Sequence, residues 1–164
     1  MTLRIGARRS ALATTQTGHV ADALRAAVGP RTRVLLLNSP HNPTGTVLTR
    51  AELAAVAAVA VEHDLVVVTD EVYEHLRFDG PHRPLSTLPG AASRTLSVSS
   101  AGKTFSATGW RVGWVSGPPE LMRGVIAVKS YLSHSAAAPL QHAVAHALSF
   151  PPAFYDALLE DYRE

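Results

Sequence analysis

Short apolar runs alternate with segments of helical character along this chain. The runs Arg33–Asn38 (RVLLLN) and Leu65–Thr69 (LVVVT) are bounded by turn residues, which is typical of strands that are buried on both faces of a sheet. Between them, Thr49 and Glu52 form a capping-box pattern that predicts an alanine-rich helix ending near His63. A strand, a helix and a strand in this order predict two parallel strands joined by a right-handed crossover.

The pattern continues with further apolar runs and then with helical segments toward the last residue. It predicts an α/β fold, a three-layer α/β/α domain with a mostly parallel sheet of about four or five strands and helices on both sides. At the front of the chain, Leu3–Gly6 is predicted to be a strand, and Ser10 is predicted to cap a helix that ends at Ala27. The remaining predicted elements are the strands Thr95–Ser99 and Arg111–Ser116 and the helices Gly117–Tyr131, Pro139–Leu148 and Ala153–Glu164.

The composition narrows the class of protein. With 46% hydrophobic and 17% charged residues among 164, the chain can bury a core of its own. A net charge of +2 without a lysine or arginine run argues against nucleic-acid binding, and no apolar run approaches the ~18 residues of a membrane span. The absence of cysteine excludes disulfides, thiolate metal sites and a cysteine nucleophile. The cytoplasm is the expected location.

The segment Ser99–Trp114 (SSAGKTFSATGWRVGW) contains the most distinctive chemistry of the chain. Lys103 is one of only two lysines, and a lysine amine can condense with an aldehyde when it is held at a fixed point and loses its proton. Ser100 and Arg111 flank it, and a hydroxyl and a guanidinium together suit a phosphate group. An aldehyde and a phosphate on one small molecule describe pyridoxal 5′-phosphate. For Lys103 by itself, the alternative is a solvated lysine in a loop rich in glycine and serine.

Other polar residues follow the predicted strands at their carboxyl ends, where the functional groups of open α/β sheets collect. Asn42 lies past the first strand, Asp70 ends the second, and Tyr73 follows one helical turn later. Asn42 alone could be a turn residue and Tyr73 a packing residue, and Asp70 could cap a short helix over Glu71–Leu76. Together they suit the cofactor, because Asp70 would pair with its pyridine nitrogen, and Asn42 and Tyr73 would bind its phenolic oxygen. Lys103 would hold the aldehyde carbon and transfer a proton.

A metal site is not predicted. His142 and His146 stand four residues apart on a predicted helix, a spacing that can place two side chains on one metal ion. Because no third ligand accompanies them, a histidine pair at the surface or at an interface is favoured.

Residues from about Asp22 to Arg163 resemble the fold-type I pyridoxal-phosphate-dependent aminotransferases of class I/II, in particular the kynurenine and succinyldiaminopimelate aminotransferases. The motifs that carry the resemblance are NSPHNPTG at Asn38–Gly45, TDEVYEHL at Thr69–Leu76 and SSAGKTFSATGWRVGW at Ser99–Trp114. The resemblance implies a partial large domain of that fold, pyridoxal 5′-phosphate as the cofactor, and transfer of an amino group between an amino acid and a 2-oxo acid. It implies catalytic roles for Lys103, Asp70 and Tyr73, and cofactor contacts for Asn42, Asp70, Tyr73, Ser100, Lys103 and Arg111.

The same resemblance implies parts that this sequence does not show. In the family, a preceding half of the large domain supplies a phosphate-binding turn and a ring that stacks on the cofactor, and a small C-terminal domain supplies an arginine for the substrate carboxylate. Without them, we expect an exposed sheet edge and impaired transfer. The family implies a homodimer, although the segment after Lys129 (SYLSHSAAAPLQ) departs from the family pattern near the subunit interface. Two alternatives stay open, a non-catalytic remnant that at most binds the cofactor, and an interaction module that needs a partner chain.

Residues 1–28 form a separate leader in this interpretation, and residues 29–164 form the partial aminotransferase domain. The stretch Leu3–Leu12 (LRIGARRSAL) and the residues after it resemble the N-terminus of hydroxymethylbilane synthase, over residues 1 to about 25. Arg8 and Ser10 match positions that contact the acidic dipyrromethane cofactor in that family. That cofactor is attached through a cysteine, which this chain lacks, so the resemblance implies a strand–helix leader without deaminase activity.

Overall fold

The computed structural model describes residues 13–163 of the chain, so the predicted strand Leu3–Gly6 and the predicted cap Ser10 lie outside the described residues. Within this range, no helix is long and apolar enough to cross a membrane. The strands are β1 (Val34–Asn38), β2 (Val66–Asp70), β3 (Thr95–Ser100) and β4 (Gly113–Ser116). The helices are α1 (Ala13–Ala27), α2 (Arg50–Glu62), α3 (Ala101–Thr104), α4 (Pro119–Leu132), α5 (Ala138–Ala147) and α6 (Pro152–Asp161), with single 3-10 turns at Leu85–Thr87, Ala92–Arg94 and Thr108–Trp110.

The strands form one sheet in the order β1-β2-β3-β4. The first three are parallel, with Asn38 opposite Asp70 and Asp70 opposite Val98, whereas β4 runs antiparallel to β3 with Gly113 opposite Ser100. The carboxyl ends of β1, β2 and β3 therefore meet at one edge of the sheet, and β4 starts from that same edge. The predicted mostly parallel sheet and its strand–helix–strand crossover are confirmed.

The capping box at the start of α2 forms as predicted. The Thr49 hydroxyl accepts a hydrogen bond from the Glu52 backbone N–H at 3.2 Å, and the Glu52 carboxylate accepts one from the Thr49 N–H at 2.7 Å. Apolar side chains of α2, among them Val56 and Val59, are buried in a core that also contains Val67 of β2 and Leu24 of α1. Burial of this apolar surface is what holds the two helices against the sheet.

A second core lies near the other end of the sheet. It is built on Ala101, Val112 and Val144, against which Phe105 and Trp114 pack. Four aromatic side chains extend this second core toward α6, with ring centroids 5.0–6.3 Å apart. These are the side chains of Phe105, Phe150, Phe154 and Tyr155. This cluster fixes α5 and α6 beside the segment that follows β3.

The prediction that β1 is buried on both faces is wrong. Leu35 and Leu37 pack against the first core, but Val34 is 54% exposed and Leu36 is 70% exposed. Successive side chains of a strand point to opposite faces, so one face of β1 packs on the core and the other is uncovered. β1 is also the edge strand of the described sheet. Both observations agree with the expectation of an incomplete sheet.

Candidate functional site

Asn38, which sequence reasoning missed as a site residue, joins the first two strand ends. Its side-chain NH₂ donates to the Asp70 carbonyl at 3.0 Å, and its side-chain oxygen accepts the backbone N–H of Asn42 at 3.1 Å. One amide therefore sets the position of the loop that carries Asn42 relative to the strand that carries Asp70. The signal in the sequence is slight, because Asn38 is only the polar last residue of an apolar run.

Asn42 and Tyr73 are in direct contact. The Asn42 side chain donates a hydrogen bond to the Tyr73 hydroxyl at 3.3 Å, across 31 positions of sequence. The loop around Asn42 is closed by hydrogen bonds from the His41 N–H to the Thr46 carbonyl and from the Gly45 N–H to the His41 carbonyl. Gly45 adopts a φ of +66°, a left-handed conformation that glycine takes readily. The turn predicted for this loop is present.

Lys103 reaches the same place from β3. Its amine lies 5.7 Å from the centroid of the Tyr73 ring, within the range of a cation–π contact, and the side chain is half-buried. Ser100 ends β3 and caps the short α3, since its hydroxyl accepts the Gly102 N–H at 3.2 Å. The strand end and this cap determine the direction in which Lys103 leaves the sheet.

Arg111 returns to this edge just ahead of β4, which begins two residues later than predicted. It is exposed, its backbone is left-handed at a φ of +56°, and its guanidinium donates to the Thr108 carbonyl at 3.3 Å. The Ala101 N–H donates to the Val112 carbonyl at 3.0 Å, which closes the segment between β3 and β4 into a loop. Gly113 makes this return feasible, because a Cβ there would lie 2.7 Å from the Ser99 carbonyl oxygen.

The residues after Asp70 form a turn and not the short helix that was considered for Glu71–Leu76. The Glu74 N–H donates to the Glu71 carbonyl at 2.8 Å, and the Glu71 N–H donates to the Val98 carbonyl at 2.9 Å. The Asp70 carboxylate makes only a long contact of 3.4 Å with the Val72 N–H, so it caps no helix. Its half-buried position at the end of β2 is compatible with binding a cationic group.

Glu74 connects this turn to β3, and sequence reasoning missed it. The Ser99 hydroxyl donates to the Glu74 carboxylate at 2.7 Å, and the His75 ring stacks on the Tyr155 ring of α6 at a centroid distance of 4.0 Å. Burial lowers the pKa of His75, an effect that Glu74 opposes and His82 reinforces. Burial, together with the charge of Glu74, raises the pKa of Tyr155.

One group of side chains has the composition of a metal site. Potential ligand atoms of Glu71, Glu74 and His82 all lie within 4.8 Å of one another. His82 Nε2 is 3.0 Å from a Glu71 oxygen, and Glu74 accepts the Ser99 hydroxyl, so these polar atoms already satisfy each other. The cluster explains how a connector that contains His82 is fastened to the sheet.

Of the predicted site residues, Tyr73 contacts both Asn42 and Lys103, and Asp70 and Ser100 lie at adjacent strand ends. Arg111 lies near them through the return loop, with its guanidinium bonded to that loop.

Comparisons with known proteins identify the family of this chain. The family described as Aminotransferase class I and II matches residues 6–164. A probable N-succinyldiaminopimelate aminotransferase of Mycobacterium tuberculosis is 57% identical over 144 residues, which is 87% of this chain and 36% of the relative. A kynurenine–oxoglutarate transaminase of Dictyostelium discoideum is 44% identical over 133 residues, covering 79% of this chain and 31% of the relative.

Solved structures give the same result. The N-succinyldiaminopimelate aminotransferase of Mycobacterium tuberculosis superposes with a TM-score of 0.84 at 57% identity, over 87% of this chain and 38% of that structure. An aspartate aminotransferase of Thermus thermophilus with maleate superposes with a TM-score of 0.81 at 40% identity, again over 87% and 38%. The predicted fold class, a partial α/β/α large domain on a mostly parallel sheet, is thereby confirmed. The chain spans 31–38% of the length of these relatives, and it belongs to the class I and II aminotransferase family.

Proposed function

We propose that this chain binds pyridoxal 5′-phosphate at the carboxyl edge of its sheet. The observation that supports this most is the meeting of Asn42, Tyr73 and Lys103, which three separate segments deliver to one place. In this arrangement the Lys103 amine would face the aldehyde of the cofactor. The Asn42 amide and the Tyr73 hydroxyl would face the neighbouring phenolic oxygen. A solvated loop lysine would not require this arrangement.

The other residues at this edge suit the remaining parts of the molecule. Asp70 would pair with the pyridine nitrogen, because a carboxylate stabilises the protonated ring. Ser100 and Arg111 would bind the phosphate, for which Arg111 would exchange its bond to the Thr108 carbonyl for a bidentate one. The left-handed backbone of Arg111 is a costly conformation for this residue, and such conformations cluster at binding sites.

The reaction we propose is transfer of an amino group between an amino acid and a 2-oxo acid. When bound, the cofactor supplies an electron sink for the substrate's α-carbon. Lys103 Nζ would hold the cofactor at its aldehyde carbon and, once free, would be the base that accepts the proton of the substrate's α-carbon. Tyr73 and Asn42 would hold the phenolic oxygen during this transfer. A cytoplasmic location and a homodimeric assembly belong to the same proposal.

The chain alone should turn over amino acids slowly, because it spans 36% of the first relative. Cofactor capture is therefore a better test than turnover.

The test is reductive trapping. The purified chain is mixed with pyridoxal 5′-phosphate, reduced with borohydride and digested, and the labelled peptide is identified by mass spectrometry. Because the chain has two lysines, Lys103 and Lys129, the result is nearly binary. We expect stoichiometric label on Lys103 that is lost in Asp70→Ala and Arg111→Ala.

Asp161→Ala and Arg123→Ala are the matched controls, since each removes the same kind of charge from a helix away from the sheet edge. They should label like the unaltered chain. Label that is absent, or divided between Lys129 and the N-terminal amine, would contradict the proposal.

A second candidate function is an interaction module. The observation that favours it is the uncovered face of β1, where Leu36 is 70% exposed. A free strand edge beside exposed apolar side chains is suited to pairing with another polypeptide. Sedimentation of the chain over a range of concentrations tests this candidate, and a monomer throughout that range would argue against pairing between copies.

A further inference from the structure

We propose that Glu74 is a positioning residue for the cofactor site, holding Tyr73 and Lys103 at a fixed separation. This inference rests on the proposed function, in which those two residues contact the cofactor. Glu74 itself contacts neither of the reacting groups. It acts through Ser99, whose hydroxyl donates to the Glu74 carboxylate at 2.7 Å.

The position of this bond in the chain allows it to set the distance between Tyr73 and Lys103. Glu74 directly follows Tyr73, and Ser99 directly precedes Ser100, the residue that caps the short helix carrying Lys103. The bond therefore joins the two segments immediately beside the groups whose spacing matters. Glu74 and Ser99 are 25 positions apart in the sequence, so no hydrogen bond within either segment can replace the contact between them.

Burial and charge make this bond stronger than a surface contact. The Ser99 residue is 5% exposed, and the Glu74 side chain is 23% exposed. A hydroxyl that donates to a carboxylate makes a charge-assisted hydrogen bond, and limited access of water reduces the competition for it.

The rest of the turn is fastened to neighbouring elements at its two ends. The Glu71 N–H donates to the Val98 carbonyl at 2.9 Å, which fastens the beginning of the turn to β3. The His75 ring stacks on Tyr155 at 4.0 Å, which fastens its end to α6. Between these points, the Tyr73 hydroxyl has a bond of 3.3 Å to Asn42, a longer contact than the one made by Glu74.

Three variants distinguish the effect of the Glu74–Ser99 hydrogen bond from the effect of the Glu74 charge. Glu74→Ala removes the acceptor, Ser99→Ala removes the donor, and Glu74→Gln keeps an acceptor oxygen for Ser99 without the charge. Glu120→Ala, on the exposed face of α4, is the control for loss of a glutamate.

The first measurement needs no cofactor. A limiting pulse of acetic anhydride labels the two lysines in proportion to their exposure and free-amine fraction, and Lys129 serves as the internal reference. We expect the ratio of label on Lys103 to label on Lys129 to change severalfold in Glu74→Ala and in Ser99→Ala. Glu74→Gln should give a ratio between those of Glu74→Ala and the unaltered chain, and Glu120→Ala should keep the original ratio.

The second measurement is the apparent Kd for pyridoxal 5′-phosphate, read from reductive trapping on Lys103. We expect it to rise about tenfold in Glu74→Ala and in Ser99→Ala, the size expected for loss of one charge-assisted hydrogen bond. The double variant should bind no worse than either single variant, because both remove the same bond. Unfolding midpoints in urea show whether a variant is merely unfolded.

Several results would overturn the inference. They are an unchanged labelling ratio in both alanine variants, a glutamine variant that behaves like Glu74→Ala, or additive effects in the double variant. If the unaltered chain does not trap the cofactor, the proposed function fails, and the acetylation ratios still decide whether Glu74 positions Lys103.

Discussion

His75 and Tyr155 show how a single pair of side chains connects the site to the last helix. Their rings are stacked at 4.0 Å with an angle of 17° between the planes. Burial is the main cause that lowers the pKa of His75, while Glu74 acts in the opposite direction. The neutral form of His75 is therefore the one that the folded chain favours.

The first prediction concerns the pH dependence of stability. Because the pKa of His75 in the folded chain lies below its ordinary value of 6.5, the unfolded chain binds more protons around and below that pH. The free energy of unfolding should decrease as the pH is lowered from about 7 through this range. His75→Phe keeps an aromatic ring against Tyr155 and removes the titrating group, so this variant should lose less stability on acidification. Urea unfolding at several pH values measures the difference.

His142→Gln is the control for this prediction, because His142 is an exposed residue of α5. It should follow the pH dependence of the unaltered chain. An equal loss of stability in His75→Phe and in the unaltered chain would show that His75 does not contribute.

Residues of the site differ in how far the sequence could predict them. Strand-end reasoning placed Asn42, Asp70 and Lys103 at one edge, and their neighbourhood in the structure agrees. Glu74 and Ser99 could not be found that way, since their importance lies in a hydrogen bond across 25 positions. Such contacts depend on the register between strands, which a single sequence does not state.

At the scale of elements, α2 is the segment most fully determined by local signals. Its cap residue and its alanine-rich middle both favour the helix that the structure contains. The position of this helix matters to the site because α2 connects the strand that leads to Asn42 with the strand that ends at Asp70.

The second prediction tests this cap. Thr49→Ala removes the hydroxyl that accepts the Glu52 N–H, and it should lower the free energy of unfolding by about 1 kcal/mol. Thr49→Ser keeps the hydroxyl and should restore most of the loss. Urea unfolding curves provide the measurement, and equal stability of all three chains would contradict the role assigned to the capping box.

Elements whose character depends on their neighbours were predicted less well. β1 has the sequence of a fully buried strand, but its burial on the second face requires a covering layer that the described residues do not supply. The segment Glu71–Leu76, considered as a short helix, is a turn whose first residue bonds the Val98 carbonyl of β3. Both elements depend on their tertiary surroundings, since one face of β1 lacks a covering layer and the turn is fastened to β3.

At the scale of the whole molecule, the exposed β1 face is the feature that distinguishes this chain from a closed domain. Val34 and Leu36 project from a strand whose outer edge is unpaired within residues 13–163. Exposed apolar side chains on a free edge promote association between chains.

The third prediction follows from this edge. Leu36→Lys should reduce association at high protein concentration, because a charged side chain on an edge strand opposes pairing. It should change the free energy of unfolding little, since Leu36 is already 70% exposed. Light scattering against concentration gives the measurement. Val61→Lys, at an exposed position of α2, is the control and should leave association unchanged, whereas equal effects of both variants would indicate nonspecific repulsion.

The loop between β3 and β4 has a consequence for the size of the group that the site can hold. Its ends are joined by the bond from the Ala101 N–H to the Val112 carbonyl, so the neighbouring residues Ser100 and Arg111 lie beside the same closure of the loop. A change in the length of this loop would disturb the left-handed backbone of Arg111, which lies one residue inside the closure. If Ser100 and Arg111 bind a phosphate as proposed, the spacing between them therefore depends on the length of the loop.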